Sequence, residues 1–146
     1  MNILDTNGIN EILDRDINLD EEYYITPDVS EEADLTQIIR NKVLSKKVKP
    51  IDKYRYFDYS IYLDQYQRAL NSYSGKSFYN MTGFGDVSIV AALHTLTQEL
   101  ERINKGQLFP VGETINVFTT DRGLIRRIKN DFDDLIVSVR PLSEIK

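Results

Sequence analysis

The sequence predicts an α/β fold, a three-layer α/β/α sandwich built on a mainly parallel sheet of about five strands. Short apolar runs alternate along the chain with longer stretches of helical period. The chain has 146 residues, of which 41% are hydrophobic and 28% charged, and this is typical of one folded domain covering residues 1–146. Strands that alternate with helices indicate a parallel sheet covered on both faces.

The first third of the chain contains two strand–helix pairs. Residues 2–5 form a short apolar run that stops at an acid, and apolar residues at helical spacing predict a helix over residues 8–14. The aromatic run 23–25 predicts the second strand. The Thr26-Pro27 pair favours a helix start, because threonine can cap a helix and proline fits its first turn.

The middle of the chain is expected to hold one strand and one helix. The helix after Pro27 should reach about Ser45, and the basic stretch 46–53 should be an exposed connection. Residues 54–57 predict a third strand, and the helical period over residues 61–73 predicts the next helix.

The last part of the chain shows the strongest helical pattern, over residues 86–104, which a glycine ends. A fourth strand is predicted over residues 115–119, a helix over 123–130 and a fifth strand over 135–139. We find no repeats and no low-complexity segment.

The composition narrows the chemistry that the chain can perform. It has no cysteine and a single histidine, His94, which excludes thiolate sites and makes a histidine-based triad improbable. A metal ion would therefore bind oxygen ligands, which favours magnesium or manganese. No apolar run approaches the roughly 20 residues that cross a bilayer and no leader segment is visible, so we expect no membrane association and a cytoplasmic location.

Asp5 and Asp121 each follow directly after a predicted strand. In parallel sheets ligands bind beyond the carboxyl ends of the strands, so both acids should lie at the same edge. The simpler interpretation is that each acid only forms a turn or caps the helix that follows.

Glu32 and Asp86 stand on the apolar faces of their helices. Glu32 lies near the centre of the apolar arc, whereas Glu31 lies to one side. A buried carboxylate is costly unless a metal ion or an arginine compensates for it, and Asp86 could also cap its helix. Several carboxylates at one edge would repel each other unless cations lie among them, which is typical of Mg²⁺ or Mn²⁺ sites that cleave phosphodiesters.

Four short motifs in this order resemble those of the PIN-domain nucleases. The segments that resemble them are residues 2–7, 26–32, 85–92 and 117–124, and residues 137–142 resemble the closing strand of that family. The resemblance covers nearly the whole chain and implies that Asp5, Glu32, Asp86 and Asp121 form the catalytic metal site.

The resemblance also implies a function. It implies metal-dependent cleavage of RNA, either by a toxin that pairs with an antitoxin protein or by an RNA-processing enzyme, and dimers are common in such proteins. The tyrosine-rich segment 46–81 departs from the family pattern. The alternative is a catalytically inactive PIN-like scaffold that binds RNA or a protein partner.

Other residues are candidates for supporting roles. Asn7 and Thr119 lie beside the acids and could orient a carboxylate or a water. Arg122 and Arg126 share a helix face and could contact substrate phosphates, although pairing with the acids at 131–134 is the simpler account. The basic residues between 40 and 55, interleaved with aromatics, suit RNA but are also typical of a solvated linker whose aromatics join the core.

Overall fold

A five-stranded parallel sheet lies at the centre of the structure, a computed structural model that describes residues 1–33, 47–73, 85–105 and 114–146. The strands are β1 (Asn2–Leu4), β2 (Tyr23–Ile25), β3 (Val48–Pro50), β4 (Ile115–Phe118) and β5 (Val137–Arg140). Their order is β3-β2-β1-β4-β5, and every neighbouring pair is parallel.

Helices connect these strands and cover the sheet. The described helices are α1 (Thr6–Asp14), α2 (Pro27–Ala33), α3 (Tyr59–Tyr73), α4 (Gly85–Asn104) and α5 (Arg122–Asp131). The chain moves outward from β1 to β3 and then crosses back to β4 and β5. Right-handed crossovers in the two directions place helices on opposite faces, which confirms the predicted α/β/α class.

The longest of the described helices, α4, has its first half enclosed by the rest of the protein. Its residues from Val87 to Leu93 are all buried, which a helix with one exposed face would not allow. It contacts α2, α3 and α5, and Ile89 and Leu96 join the core formed by the strands. No helix within the described ranges is long and apolar enough to cross a membrane.

The prediction of the third strand was wrong. That strand is Val48–Pro50, inside the stretch expected to be an exposed connection, and residues 54–57 form turns instead. Val48 and Ile51 are fully buried, but lysines surround them in the sequence, so their short apolar pattern did not predict a strand. At the sheet edge Pro50 needs no N–H partner on its outer side.

The aromatic residues around this segment pack together. Neighbouring rings from Tyr54 to Tyr66 lie 5.3–6.4 Å apart, and Tyr54, Phe57 and Tyr66 rest against the core. Among the basic residues, Lys49 pairs with Glu22. The predicted basic residues Arg40, Lys42 and Lys46 lie outside the described residues.

One buried polar contact joins α3 to α4 and gives the first prediction. The Tyr62 hydroxyl and Ser88 Oγ lie 2.8 Å apart, and both residues are buried. Ser88→Ala leaves the phenol without this partner and should lower the free energy of unfolding by about 1–3 kcal/mol. In the double variant Tyr62→Phe with Ser88→Ala both polar groups are removed, so its free energy of unfolding should be closer to that of wild type. Urea unfolding of both single variants and the double variant measures this; additive losses would contradict it.

Candidate active site

Asp5 lies at the carboxyl end of β1, the central strand, and is 5% exposed. Its Oδ1 accepts the Gly8 N–H at 2.8 Å and so caps α1, while its Oδ2 accepts a hydrogen bond from the Thr119 hydroxyl. Gly8 permits this because a Cβ there would lie 2.9 Å from Leu4 Cδ2. The helix start therefore sits tightly on the strand end, and the carboxylate is held in one orientation.

Thr119 connects Asp5 to Asp121. It follows β4, is 2% exposed, and its Oγ1 accepts the Asp121 N–H at 3.0 Å while donating to Asp5. Asp121 in turn accepts the Leu124 N–H at 2.9 Å and caps α5. The Thr119 hydroxyl thus contacts the carboxylate of Asp5 and the backbone of Asp121, and it links the two acids at the sheet edge that the sequence predicted.

The electrostatics of this pair are unfavourable for two negative charges. Burial raises the pKa of the Asp5 carboxyl, and the nearby charge of Asp121 raises it further. The hydrogen bonds from Thr119 and Gly8 lower the pKa but do not cancel the rise. A cation beside the two carboxylates would stabilise their ionised forms.

The other two predicted acids lie on α2 and α4. Asp86 is half-buried in the first turn of α4, and the side chain of Glu32, in α2, lies outside the described part of the chain. Within the described ranges no three acidic or histidine side chains are grouped closely enough to hold a metal ion. The structure therefore brings together Asp5 and Asp121, and the four-acid site stays a prediction.

The residues proposed in support have distinct positions. Asn7 Nδ2 donates to the Thr120 hydroxyl at 3.3 Å and ties the start of α1 to the loop after β4. Arg122 and Arg126 are exposed on α5 and form no ion pair with a described residue. Arg127, rather than either of them, pairs with Asp131, at 2.6 Å.

His94 belongs to α4 and contacts the carboxyl end of α5, the end opposite Asp121. Its Nε2 is 3.1 Å from Asp131 Oδ2, and its ring packs on Phe132 with centroids 4.5 Å apart. It is half-exposed, and its contacts with Asp131 and Phe132 join α4 to the end of α5.

A cleft of about 620 Å³ opens beside the acid pair and was not predicted. Thr119 and Thr120 form one wall, and the rest of the lining includes the cationic side chains Arg122, Lys129 and Arg140 from α5 and β5, together with the acid Asp134. Arg140 lies 3.6 Å from Glu144. The sequence contained one signal for this cleft, because Arg140 ends a strand at the same edge as the acids.

The sequence predicts that Thr26 caps the helix that starts at Pro27, and this prediction is only partly correct. The helix does start at Pro27, and the Thr26 carbonyl accepts the Ser30 N–H at 2.9 Å. The expected side-chain cap is absent, however: the hydroxyl is fully buried and has no hydrogen-bond partner among the described residues.

The raised pKa of Asp5 gives the second prediction. A raised pKa means that ionising Asp5 costs stability, so its favourable contribution is complete below the unfolded pKa of about 4 and is lost as the pH rises through the folded value. With chelator present, Asp5→Asn should therefore be more stable than wild type at pH 7 and closer to it at pH 4. The asparagine oxygen can still accept the Gly8 N–H.

Asp131→Asn is the matched control with the opposite sign. Burial acts to raise the pKa of Asp131, but hydrogen bonds from Arg127, Asn130 and His94 lower it overall. Its contribution is present above the unfolded pKa and lost at lower pH, so this variant should lose stability at pH 7. Thermal melts at several pH values test both, and a destabilised Asp5→Asn at pH 7 would contradict the assignment.

Comparison of the chain with models of known protein families, with curated proteins and with solved structures gives no match in any of the three.

Proposed function

We propose that this chain is a divalent-metal-dependent endoribonuclease that acts in the cytoplasm and hydrolyses phosphodiester bonds of RNA. The acids proposed to form its site are Asp5, Glu32, Asp86 and Asp121. The observation that supports this most is the buried Asp5 carboxylate, whose partner Thr119 also accepts the backbone N–H of Asp121 at the carboxyl edge of a parallel sheet. The order of the four motifs, which resembles that of PIN-domain nucleases, points the same way.

The donor set fits a hard cation. Asp5 and Asp121 provide carboxylate oxygens, and Mg²⁺ is commonly bound by one or two carboxylates together with waters and substrate phosphate oxygens. The buried Asp5, whose pKa is raised, would be stabilised by such a charge. When bound, Mg²⁺ or Mn²⁺ would polarise the phosphate and lower the pKa of a water that attacks it.

The protein's own groups would prepare this site before the ion binds. The Gly8 N–H and the Thr119 hydroxyl fix both oxygens of Asp5, so the carboxylate need not reorganise on ligand binding. Asp121 is oriented by the Leu124 N–H. Burial keeps bulk water from Asp5 and so strengthens its interaction with a cation.

The neighbouring cleft supports a polyanionic substrate. The chain carries a net charge of −5, yet Arg122 and Lys129 face this cleft and form no ion pair with a described residue. A nucleic acid strand that enters the site could place the adjacent phosphates against these cations.

One observation favours the alternative of an inactive PIN-like scaffold. Asp5 and Asp121 each already accept a helix N–H, so both have a structural role that needs no metal. A scaffold would bind RNA or a protein partner at the same edge without cleaving it.

Cleavage assays give the third prediction. Wild type should cut a pool of single-stranded RNA with Mn²⁺ or Mg²⁺ and should stop with chelator. Asp86→Asn and Glu32→Gln should each lower the rate by more than roughly 100-fold, the upper range for loss of an outer-shell partner at a metal site. Gel analysis of RNA and DNA pools measures the rates and distinguishes the two substrates.

Two exposed acids outside the proposed site serve as controls. Glu31→Gln, one residue from Glu32 and exposed, should remain active, and so should Asp64→Asn, an exposed acid on α3 that pairs with Arg68. Wild type that binds RNA but cuts it under no metal condition would favour the scaffold. Loss of activity in Glu31→Gln with Glu32→Gln active would move the site to the other glutamate.

The cleft gives the fourth prediction. Arg122→Gln combined with Lys129→Gln should weaken RNA binding and reduce the slope of log affinity against log salt by roughly 1.4, about 0.7 for each phosphate contact to a single strand. The control is Arg15→Gln with Arg68→Gln, which removes the same charge from residues that pair with acids on their own helices. Equal slopes for the two double variants would show that RNA avoids the cleft.

A further inference from the structure

Thr26 lies at the same level of the sheet as Asp5 and Thr119. The registers of β1 against β2 and β4, continued past the strand ends, place Asp5 between the two threonines. Neighbouring strands are about 4.8 Å apart, and side chains paired in register point to the same face. Thr26 precedes Pro27, which favours extended backbone, and Asp5 is extended as well, with φ −86° and ψ −179°.

The two threonines differ in what their hydroxyls do. The Thr119 hydroxyl donates to Asp5 and accepts the Asp121 N–H, so it is satisfied as a donor and as an acceptor. The Thr26 hydroxyl is 0% exposed and has no partner among the described residues, and α2 does not use it as a cap. Buried polar groups are almost always bonded to protein or to an ordered molecule. A buried, unsatisfied hydroxyl beside a buried carboxylate therefore points to a ligand from outside the chain.

We propose that Thr26 is a further lining residue of the cation site, where its hydroxyl hydrogen-bonds to an oxygen ligand of a divalent cation held by Asp5 and Asp121. This inference rests on the proposed function. Thr26 would be a positioning residue: it adds no charge, and it fixes the ion's oxygen ligands on the side of Asp5 opposite Thr119. The cations that suit this site usually retain several waters, which need such partners.

Replacing the unsatisfied hydroxyl tests the proposal, because it should raise the melting temperature of the metal-free protein and lower the affinity for Mn²⁺. Without metal, Thr26→Val removes a buried polar atom that has no partner, and the melting temperature should rise by roughly 2–4 °C. With Mn²⁺ alone, titrated calorimetrically without RNA, the affinity should fall roughly 10-fold. Thr26→Ser keeps the hydroxyl and should bind Mn²⁺ nearly as wild type does.

Thr95→Val is the matched control. Thr95 is also fully buried, but its hydroxyl donates to the Ala91 carbonyl at 2.8 Å inside α4. Its replacement should leave Mn²⁺ affinity unchanged and should not raise the melting temperature.

The outcomes separate this inference from the function on which it rests. If wild type and Thr26→Val bind Mn²⁺ equally, Thr26 does not line the site, while the nuclease proposal stands. If Thr26→Val melts lower than wild type without metal, the hydroxyl has a structural role and the inference fails. If wild type itself binds no Mn²⁺, the metal site and the role of Thr26 are both overturned.

Discussion

The register of β1 against β4 is the constraint on which the rest of the site depends. Leu4 pairs with Phe118, so the next residues on the two strands, Asp5 and Thr119, lie side by side and hydrogen-bond. A slip of one residue would turn Asp5 to the opposite face of the sheet. The core prevents this, because Ile3, Leu4 and Val117 are fully buried and a slip would move their side chains out of their packing positions. Hydrophobic packing of the central strands therefore sets the position of the acids.

Asp5 lowers the stability of the fold at neutral pH at the position where it would serve function. Burial and the charge of Asp121 raise the pKa of Asp5, whereas Asp131, equally capable of ion pairing, has a lowered pKa because Arg127, Asn130 and His94 bond to it. The fold thus provides cationic partners for the carboxylate of Asp131, whereas no cation among the described residues pairs with Asp5. Acids with a pKa perturbed by burial and by a like charge are enriched at functional sites.

Much of the fold could be predicted because its signals are local. Four of the five strands and the starts of α2 and α4 followed from apolar periodicity and from Pro27. The third strand could not, because only Val48 and Ile51 mark it and lysines surround them; its assignment depends on pairing with β2, which a single segment does not show. The meeting of Asp5 with Asp121 followed from the parallel sheet. The unsatisfied hydroxyl of Thr26 and the cationic cleft depend on three-dimensional neighbours and had no local signal beyond Arg140.

The tyrosine-rich helix α3 holds in place the helices that carry the remaining two acids. Tyr62 bonds to Ser88, two residues after Asp86 in α4, and Tyr66 donates to Asp28 in the first turn of α2, the helix of Glu32. Burial raises the pKa of Tyr62 to about 12, and that of Tyr66 is raised by burial and by Asp28, so both phenols stay protonated at physiological pH. These contacts are buried or half-buried, and they do not weaken with salt as a surface ion pair would. Helix α3 therefore holds α2 against α4, and with them the spacing between the backbones of Glu32 and Asp86. Any metal site that includes these two acids would depend on α3 for its dimensions, although α3 provides none of the four proposed ligands.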